Sequence, residues 1–178
     1  YIEYLGFLRK YTIRLGGILR SHVGQDQREN FYSSDDSSGI SPVICYESIY
    51  GEFVTDYIKK GSDFIFIITN DGWWGNTPGY RQHLSYARLR AIETRRSIAR
   101  SANTGISALI NQRGDILQRT DYWKRTALRG SLNANDKQTL YTRHGDYISR
   151  LAYFVALIIV LYTLLRIVGR SLGLNRDN

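Results

Sequence analysis

The chain has 178 residues, 43% hydrophobic and 13% aromatic, with a formal net charge of +8 and an isoelectric point of about 9.7. That length holds one domain of ordinary size with a real core, and that composition excludes a disordered chain. A single cysteine, Cys45, excludes an intramolecular disulfide and a cysteine-based zinc site. The basic balance suits nucleic acid, an anionic lipid surface or an acidic substrate. The chain opens on Tyr1-Ile2-Glu3 with no initiator methionine, cap or signal peptide, and reads as a segment of a longer protein.

Residues 4–19 place Tyr4, Leu8, Tyr11, Leu15, Ile18 and Leu19 at helical spacing, with Arg9, Lys10 and Arg14 between them. Such a helix either lies on a membrane surface or packs on its own domain, and Gly16-Gly17 weakens both readings. Residues 24–41 are polar and aperiodic and read as a loop. A short strand is expected over Ser41–Cys45, then a helix over Gly51–Lys60 with Phe53, Val54, Tyr57 and Ile58 on one face. Asp63–Thr69 (DFIFIIT) is a β-branched and aromatic run typical of a buried strand.

Arg81–Arg96 is predicted as a helix with Leu84, Ala87, Ala91 and Ile92 inward. Strands follow over Ser97–Ser101 and Ile106–Asn111. Gln112-Arg113-Gly114-Asp115 turns into a strand over Ile116–Arg119, and a further strand is expected over Ala127–Asn133. Strand–helix alternation followed by a hairpin predicts an α/β fold with layered sheet and helix. The last feature is LAYFVALIIVLYTLL at Leu151–Leu165, an uncharged apolar run. From Ile148 to Val168 it offers roughly 20 residues, enough for one bilayer crossing, with Arg166 able to snorkel. Arginines flank it on both sides, so charge does not set its orientation.

Cys45 lies in VICYES, between an apolar strand and a helix. A strand-to-helix turn exposes a nucleophile and aims N–H groups at it, while a buried structural thiol is the alternative. Tyr46 and Glu47 add polar groups that a plain buried turn does not need. Asn70-Asp71-Gly72-Trp73-Trp74-Gly75 follows a buried strand, where α/β folds keep their sites. Its two tryptophans suit an acyl chain or a membrane interface, or else they pack the loop. His83 invites a Cys–His–Asp reading with Cys45 and Asp71, against a structural role for a histidine in a first helical turn. Arg88, Arg90, Arg95, Arg96 and Arg100 read as a solvated face with internal pairs such as Glu93. Aromatics are not interleaved with them, which argues against nucleic acid.

Together ICYE, TNDGWWG, Gln82-His83, ARLRAIETRR, Asn103–Gly105 and TLYTRHGD before an apolar span carry a resemblance over about residues 40–168. The chain resembles the C-terminal part of the bacterial apolipoprotein N-acyltransferases, membrane-embedded members of the nitrilase (carbon–nitrogen hydrolase) superfamily. The resemblance implies the C-terminal half of an α-β-β-α sandwich over 1–147, one transmembrane helix over 148–168 and a short basic tail over 169–178. It implies an acyltransferase that carries an acyl chain from a phospholipid, as a cysteine thioester, to the diacylglyceryl-cysteine at an apolipoprotein's N-terminus.

By motif match Cys45 is the nucleophile, Tyr46 and Glu47 are needed for activity, and Trp73 and Trp74 line the lipid-facing loop. The family's glutamate base and oxyanion lysine precede the cysteine and map onto no residue here; Glu3 is not assigned. This segment alone is therefore expected to be inactive. No metal or cofactor is implied, and the expected partners are the phospholipid donor, the apolipoprotein acceptor and the membrane. The expected setting is a monomer in the bacterial cytoplasmic membrane, multi-pass as a whole, with its catalytic domain on the periplasmic face. A tethered amidase or nitrilase that uses water as acceptor is one rival. A non-catalytic, membrane-anchored domain that binds lipid or a partner is the other.

Overall fold

Two successive β-α-β units set the architecture and leave three parallel strand ends side by side. The structure, a computed structural model, describes residues 27–35 and 37–171; the basic stretch at 4–19 lies outside the described residues. A six-stranded sheet runs in the order β1 (Phe31–Tyr32), β2 (Gly39–Ile44), β3 (Phe64–Asn70), β4 (Ser97–Asn103), β5 (Ala108–Ile110) and β6 (Ile116–Arg119). Strands β2, β3 and β4 are parallel, and β1, β5 and β6 extend them antiparallel. Helix α1 (Gly51–Lys59) connects β2 to β3, and α2 (Pro78–Thr94) connects β3 to β4. Both crossovers advance the same way along the sheet, so the right-handed rule puts both helices on one face.

The register shows which face is filled. Ser41, Ile65, Ile98 and Ile110 form one inward row, and Val43, Ile67, Arg100 and Ala108 form the next. Val54, Tyr57 and Ile58 of α1 and Leu84, Ala87 and Ala91 of α2 close the core over them. The opposite face keeps Pro42, Phe66 and Ala99 in one row and Ile44 and Ile68 in another, with Ile68 62% exposed. One sheet with one helical layer is half of the sandwich that the sequence resemblance implies.

Four sequence expectations need correction. Helix α2 starts at Pro78 instead of Arg81, because Thr77 caps it by accepting the Gly79 N–H and proline is favoured at the first helical position. Ile92 is exposed, and the inward stripe runs Tyr80, His83, Leu84, Ala87, Arg90, Ala91 and Thr94. No strand forms over 127–133. Residues 124–139 instead strap the sheet through side chains, with Ser97 Oγ donating to the Asn133 carbonyl and Asn135 Nδ2 to that of Arg95.

The arginine stretch is a solvated face only at Arg88 and Arg95: Arg90, Arg96 and Arg100 are buried. Each spends its guanidinium on backbone carbonyls: Arg90 on Ile49, Arg96 on Ser62, Thr94 and Lys137, Arg100 on Ile106. Arg90 also pairs with Glu93, as the sequence suggests, but inside the protein.

Helix α3 (Leu140–His144) leads through Gly145 into α4 (Tyr147–Ser171). Helix α4 is 25 residues long, apolar enough to cross a membrane, and has no buried residue. Its start is tied to α1, because Glu52 accepts from both the Asp146 N–H, at 2.9 Å, and the Arg150 guanidinium.

The burial of Arg96 carries a stability prediction. Arg96→Ala strands three carbonyls, two of them in fully buried hydrogen bonds, and should destabilise the fold by about 3 kcal/mol, whereas Arg113→Ala at the exposed hairpin should stay within about 0.5 kcal/mol. Denaturant midpoints of the two variants, compared at equal m-value, check the contrast.

Candidate active site

Three of the four described non-glycine residues with positive φ lie at or just beyond strand ends or in the turn leaving a helix, and Cys45 is one of them, with φ of 50°. A side chain in that region costs on the order of 1–3 kcal/mol, so the surrounding structure must impose it. Strand β2 ends at Ile44, and Cys45–Ile49 forms a short 3-10 turn before α1. Glu47 folds back so that its carboxylate accepts the Ile44 N–H at 2.8 Å. Ser48, fully buried, donates to the Cys45 carbonyl at 2.7 Å. These two bonds pin the turn from both sides and leave Cys45 itself partly exposed.

Beneath the turn lies a buried ionic cluster. Asp71, at the end of β3, is fully buried. Its Oδ2 accepts from Arg100 of β4 at 2.7 Å, and its Oδ1 contacts His83 Nδ1 of α2 at 2.9 Å. Burial alone would push the Asp71 carboxyl up. The His83 hydrogen bond and the Arg100 charge outweigh it and hold the group below the ordinary carboxylate value. Gly105 makes room for this arrangement, because a Cβ there would sit 2.3 Å from Asp71 Oδ2.

His83 joins the cluster to the turn. With Nδ1 facing Asp71, its Nε2 lies 3.0 Å from Ser48 Oγ and 3.2 Å from the Cys45 carbonyl oxygen. The sequence suggestion of a Cys45–His83–Asp71 group is thus met in part. Asp71 and His83 are joined, but the ring addresses the cysteine's backbone and makes no hydrogen bond to its sulfur. The sulfur's partner is Thr69, whose Oγ1 is 3.2 Å from Sγ and 3.0 Å from Asp71 Oδ1.

Thr69 and Arg100 escape a reading of sequence alone as site residues. Their only signal is position: each lies on the inward side of a strand that ends at the site.

The two tryptophans are not equivalent. Asp71–Trp74 is itself a 3-10 turn, so adjacent residues point apart. Trp73 is 52% exposed, while Trp74 packs against the core and edge-on to His83, with centroids 5.3 Å apart. Tyr46 lies over both neighbours, 6.4 Å from the Trp74 ring and 6.2 Å from the His83 ring, with its own ring half exposed. A cleft of about 660 Å³ opens elsewhere, between α1, α2, α3 and the start of α4, and does not include Cys45. Among the described residues no three His, Cys, Asp or Glu side chains gather as a metal site.

The family model for carbon–nitrogen hydrolases matches residues 7–141. The chain belongs to the carbon–nitrogen hydrolase family. Within this family it is similar to the apolipoprotein N-acyltransferase of Chlorobaculum tepidum, 31% identical over 93% of this chain and 32% of that protein. It is similar also to that of Agrobacterium fabrum, 33% identical over 96% of this chain and 32% of that protein. The chain therefore spans about a third of the length of these curated relatives. Solved carbon–nitrogen hydrolases share the fold. One from Helicobacter pylori gives a TM-score of 0.52 at 12% identity, over 58% of this chain and 43% of that one. An amidase from Nesterenkonia sp. gives 0.50 at 14% identity, over 74% of this chain and 49% of that one.

For this carbon–nitrogen hydrolase the buried cluster predicts an acid sensitivity. Because the Asp71 carboxyl is depressed in the folded state, the stability it contributes is complete above its ordinary value and is lost as pH falls through the folded one. Asp71→Asn leaves Arg100 uncompensated in the core and should cost about 3–5 kcal/mol at neutral pH. It should also flatten the acid limb of stability against pH, measured by denaturation from neutrality down to below the ordinary carboxylate value of about 4.

Proposed function

We propose that this chain supplies the nucleophile turn of an apolipoprotein N-acyltransferase, with Cys45 as the atom that carries the acyl chain. The observation that supports this most is the conformation of Cys45: a strained, partly exposed residue held at the C-terminal end of a parallel strand by Glu47 and Ser48. A spectator thiol needs no such support. The likeness to curated acyltransferases along most of the chain points the same way.

In the first half-reaction Sγ attacks the ester carbonyl of a phospholipid. A C–S bond forms, the ester C–O bond breaks, and the thiol's proton ends on the lysophospholipid hydroxyl. In the second, the free α-amine of the lipoprotein's diacylglyceryl-cysteine attacks the thioester. An N–C bond forms, the C–S bond breaks, and a proton from the amine returns to sulfur. A thioester keeps the acyl group activated for amide formation between the two steps.

Both steps need a proton acceptor within reach. Among the described residues the candidates near Cys45 are already committed: Asp71 to Arg100 and His83, Glu47 to the Ile44 N–H, His83 to Asp71 and the turn. As the resemblance to the acyltransferases implies, the base and the oxyanion donor are assigned to residues that precede the turn. Glu47 acts by holding the turn, and Tyr46 forms the aromatic wall beside the sulfur. Trp73, turned outward, meets the acyl chains, while Trp74 backs His83 from within.

Residues 1–147 form the C-terminal part of the catalytic domain, and 148–168 within α4 cross the membrane, leaving 169–178 as a tail. An unburied apolar helix of 25 residues supports this span, and its clamp to Glu52 sets the catalytic domain against the bilayer. The enzyme works as a monomer in the bacterial cytoplasmic membrane, with this domain on the periplasmic face.

In cells depleted of their own enzyme, full-length protein with Cys45→Ala should fail to N-acylate lipoproteins, while Trp73→Ala should retain the fold and lower the rate about tenfold through weaker lipid binding. Gel mobility of a lipoprotein reporter reads both. N-acylation that persists in Cys45→Ala contradicts the assignment, and release of free fatty acid without N-acylation by the unaltered protein favours hydrolysis.

A further inference from the structure

We infer that Thr69 is a positioning residue for the Cys45 sulfur, its single hydroxyl proton alternating between the Asp71 carboxylate and Sγ as the sulfur gains and loses its own proton. The inference rests on Cys45 being the acyl carrier and deepens that reading.

The geometry leaves little choice. Thr69 Oγ1 stands between two partners, Sγ at 3.2 Å and Asp71 Oδ1 at 3.0 Å, with one proton to offer. The residue is buried, so water does not compete for that proton. The charged or titratable groups around the contact are fixed on each packed element: Asp71 on β3's end, His83 on α2, Arg100 on β4, and Glu47 on the turn itself. Asp71 is ionised and accepts only. It keeps bonds from His83 and Arg100 whichever way Thr69 points.

The two states of sulfur then ask for opposite orientations. With the thiol protonated, the hydroxyl donates to the carboxylate, the stronger acceptor, and its oxygen accepts the S–H. Once the thiol proton has left to the base, the thiolate is the nearest charged acceptor that has no other bond from the described residues, and the hydroxyl turns about Cβ–Oγ1 to donate to it. After the acyl chain is bound, the thioester sulfur is a poor acceptor and the proton swings back to Asp71. Thr69 thus bonds the sulfur most strongly when it carries charge, as attacking group in the first half-reaction and as leaving group in the second. A donor that strengthens only with developing charge raises the rate without tightening ground-state binding.

The pair Thr69→Val and Thr69→Ser in the full-length enzyme tests this, since valine keeps the shape without the hydroxyl and serine keeps the hydroxyl. The probe is a phospholipid with a labelled acyl chain in detergent micelles, and the readout is the rate of acyl-enzyme formation against lipid concentration. Thr69→Val should slow acylation about tenfold or more at unchanged KM, the size of a lost hydrogen bond to a charged acceptor, and Thr69→Ser should stay within about threefold of the unaltered enzyme. Acylation by Thr69→Val at the unaltered rate, or an equal loss in both variants, overturns the inference.

Should the valine variant not fold, the infrared S–H band in the difference between unaltered protein and Cys45→Ala decides. A band shifted to low frequency by donation to Oγ1 is expected, and one at the position of an unbonded thiol contradicts it. Acylation surviving in Cys45→Ala would instead sink the acyl-carrier reading itself.

Discussion

A carboxylate buried to zero exposure holds this site together. Asp71 has Arg100 on one oxygen and His83 and Thr69 on the other, and through them it ties together β3, β4 and α2. A buried ion pair adds little net stability over an apolar core, yet losing one member leaves a charge that nothing solvates. Its value lies in definition: β3, β4 and α2 must meet in one register for all the bonds to form. Because His83 then reaches Ser48 and the Cys45 carbonyl, the same cluster sets where the strained turn can sit.

The second constraint runs along the chain instead of through the core. The cysteine turn feeds directly into α1, and the first turn of α1 carries Glu52, which grips the start of α4 at the Asp146 N–H and at Arg150. Glu52 and Arg150 are both half exposed or more, so the pair contributes little energy; with the backbone bond added it fixes an orientation. The apolar helix and the cysteine turn are thus linked through one element, α1.

Much of this was legible in the sequence, and the misses share a cause. The β-branched run of β3 and the apolar spacing of α1 declare themselves locally, and the strand-to-turn position of Cys45 follows from them. The buried arginines do not. Arg90 and Arg96 find their carbonyls 34 to 41 residues away, apart from Arg96's local bond to Thr94, so only tertiary packing shows that these cations are sheltered. The segment at 127–133 has a strand's composition but forms no ladder, and its last carbonyl, that of Asn133, accepts from the side chains of Ser97 and Gln112. The tryptophan pair reads as one feature until a 3-10 turn points its members apart. Thr69 and Arg100 look like ordinary strand residues until the covered face of the sheet is known.

The proposed function makes these features converge on one sulfur, that of Cys45, as the carrier of an acyl group. Peptide mapping by mass spectrometry of full-length enzyme, mixed with phospholipid and no lipoprotein acceptor, examines that directly. A fatty-acyl mass on the peptide containing Cys45, removed by neutral hydroxylamine, is the expected result. An unmodified Cys45 peptide, with the acyl group on another residue or wholly released as free acid, would contradict the account.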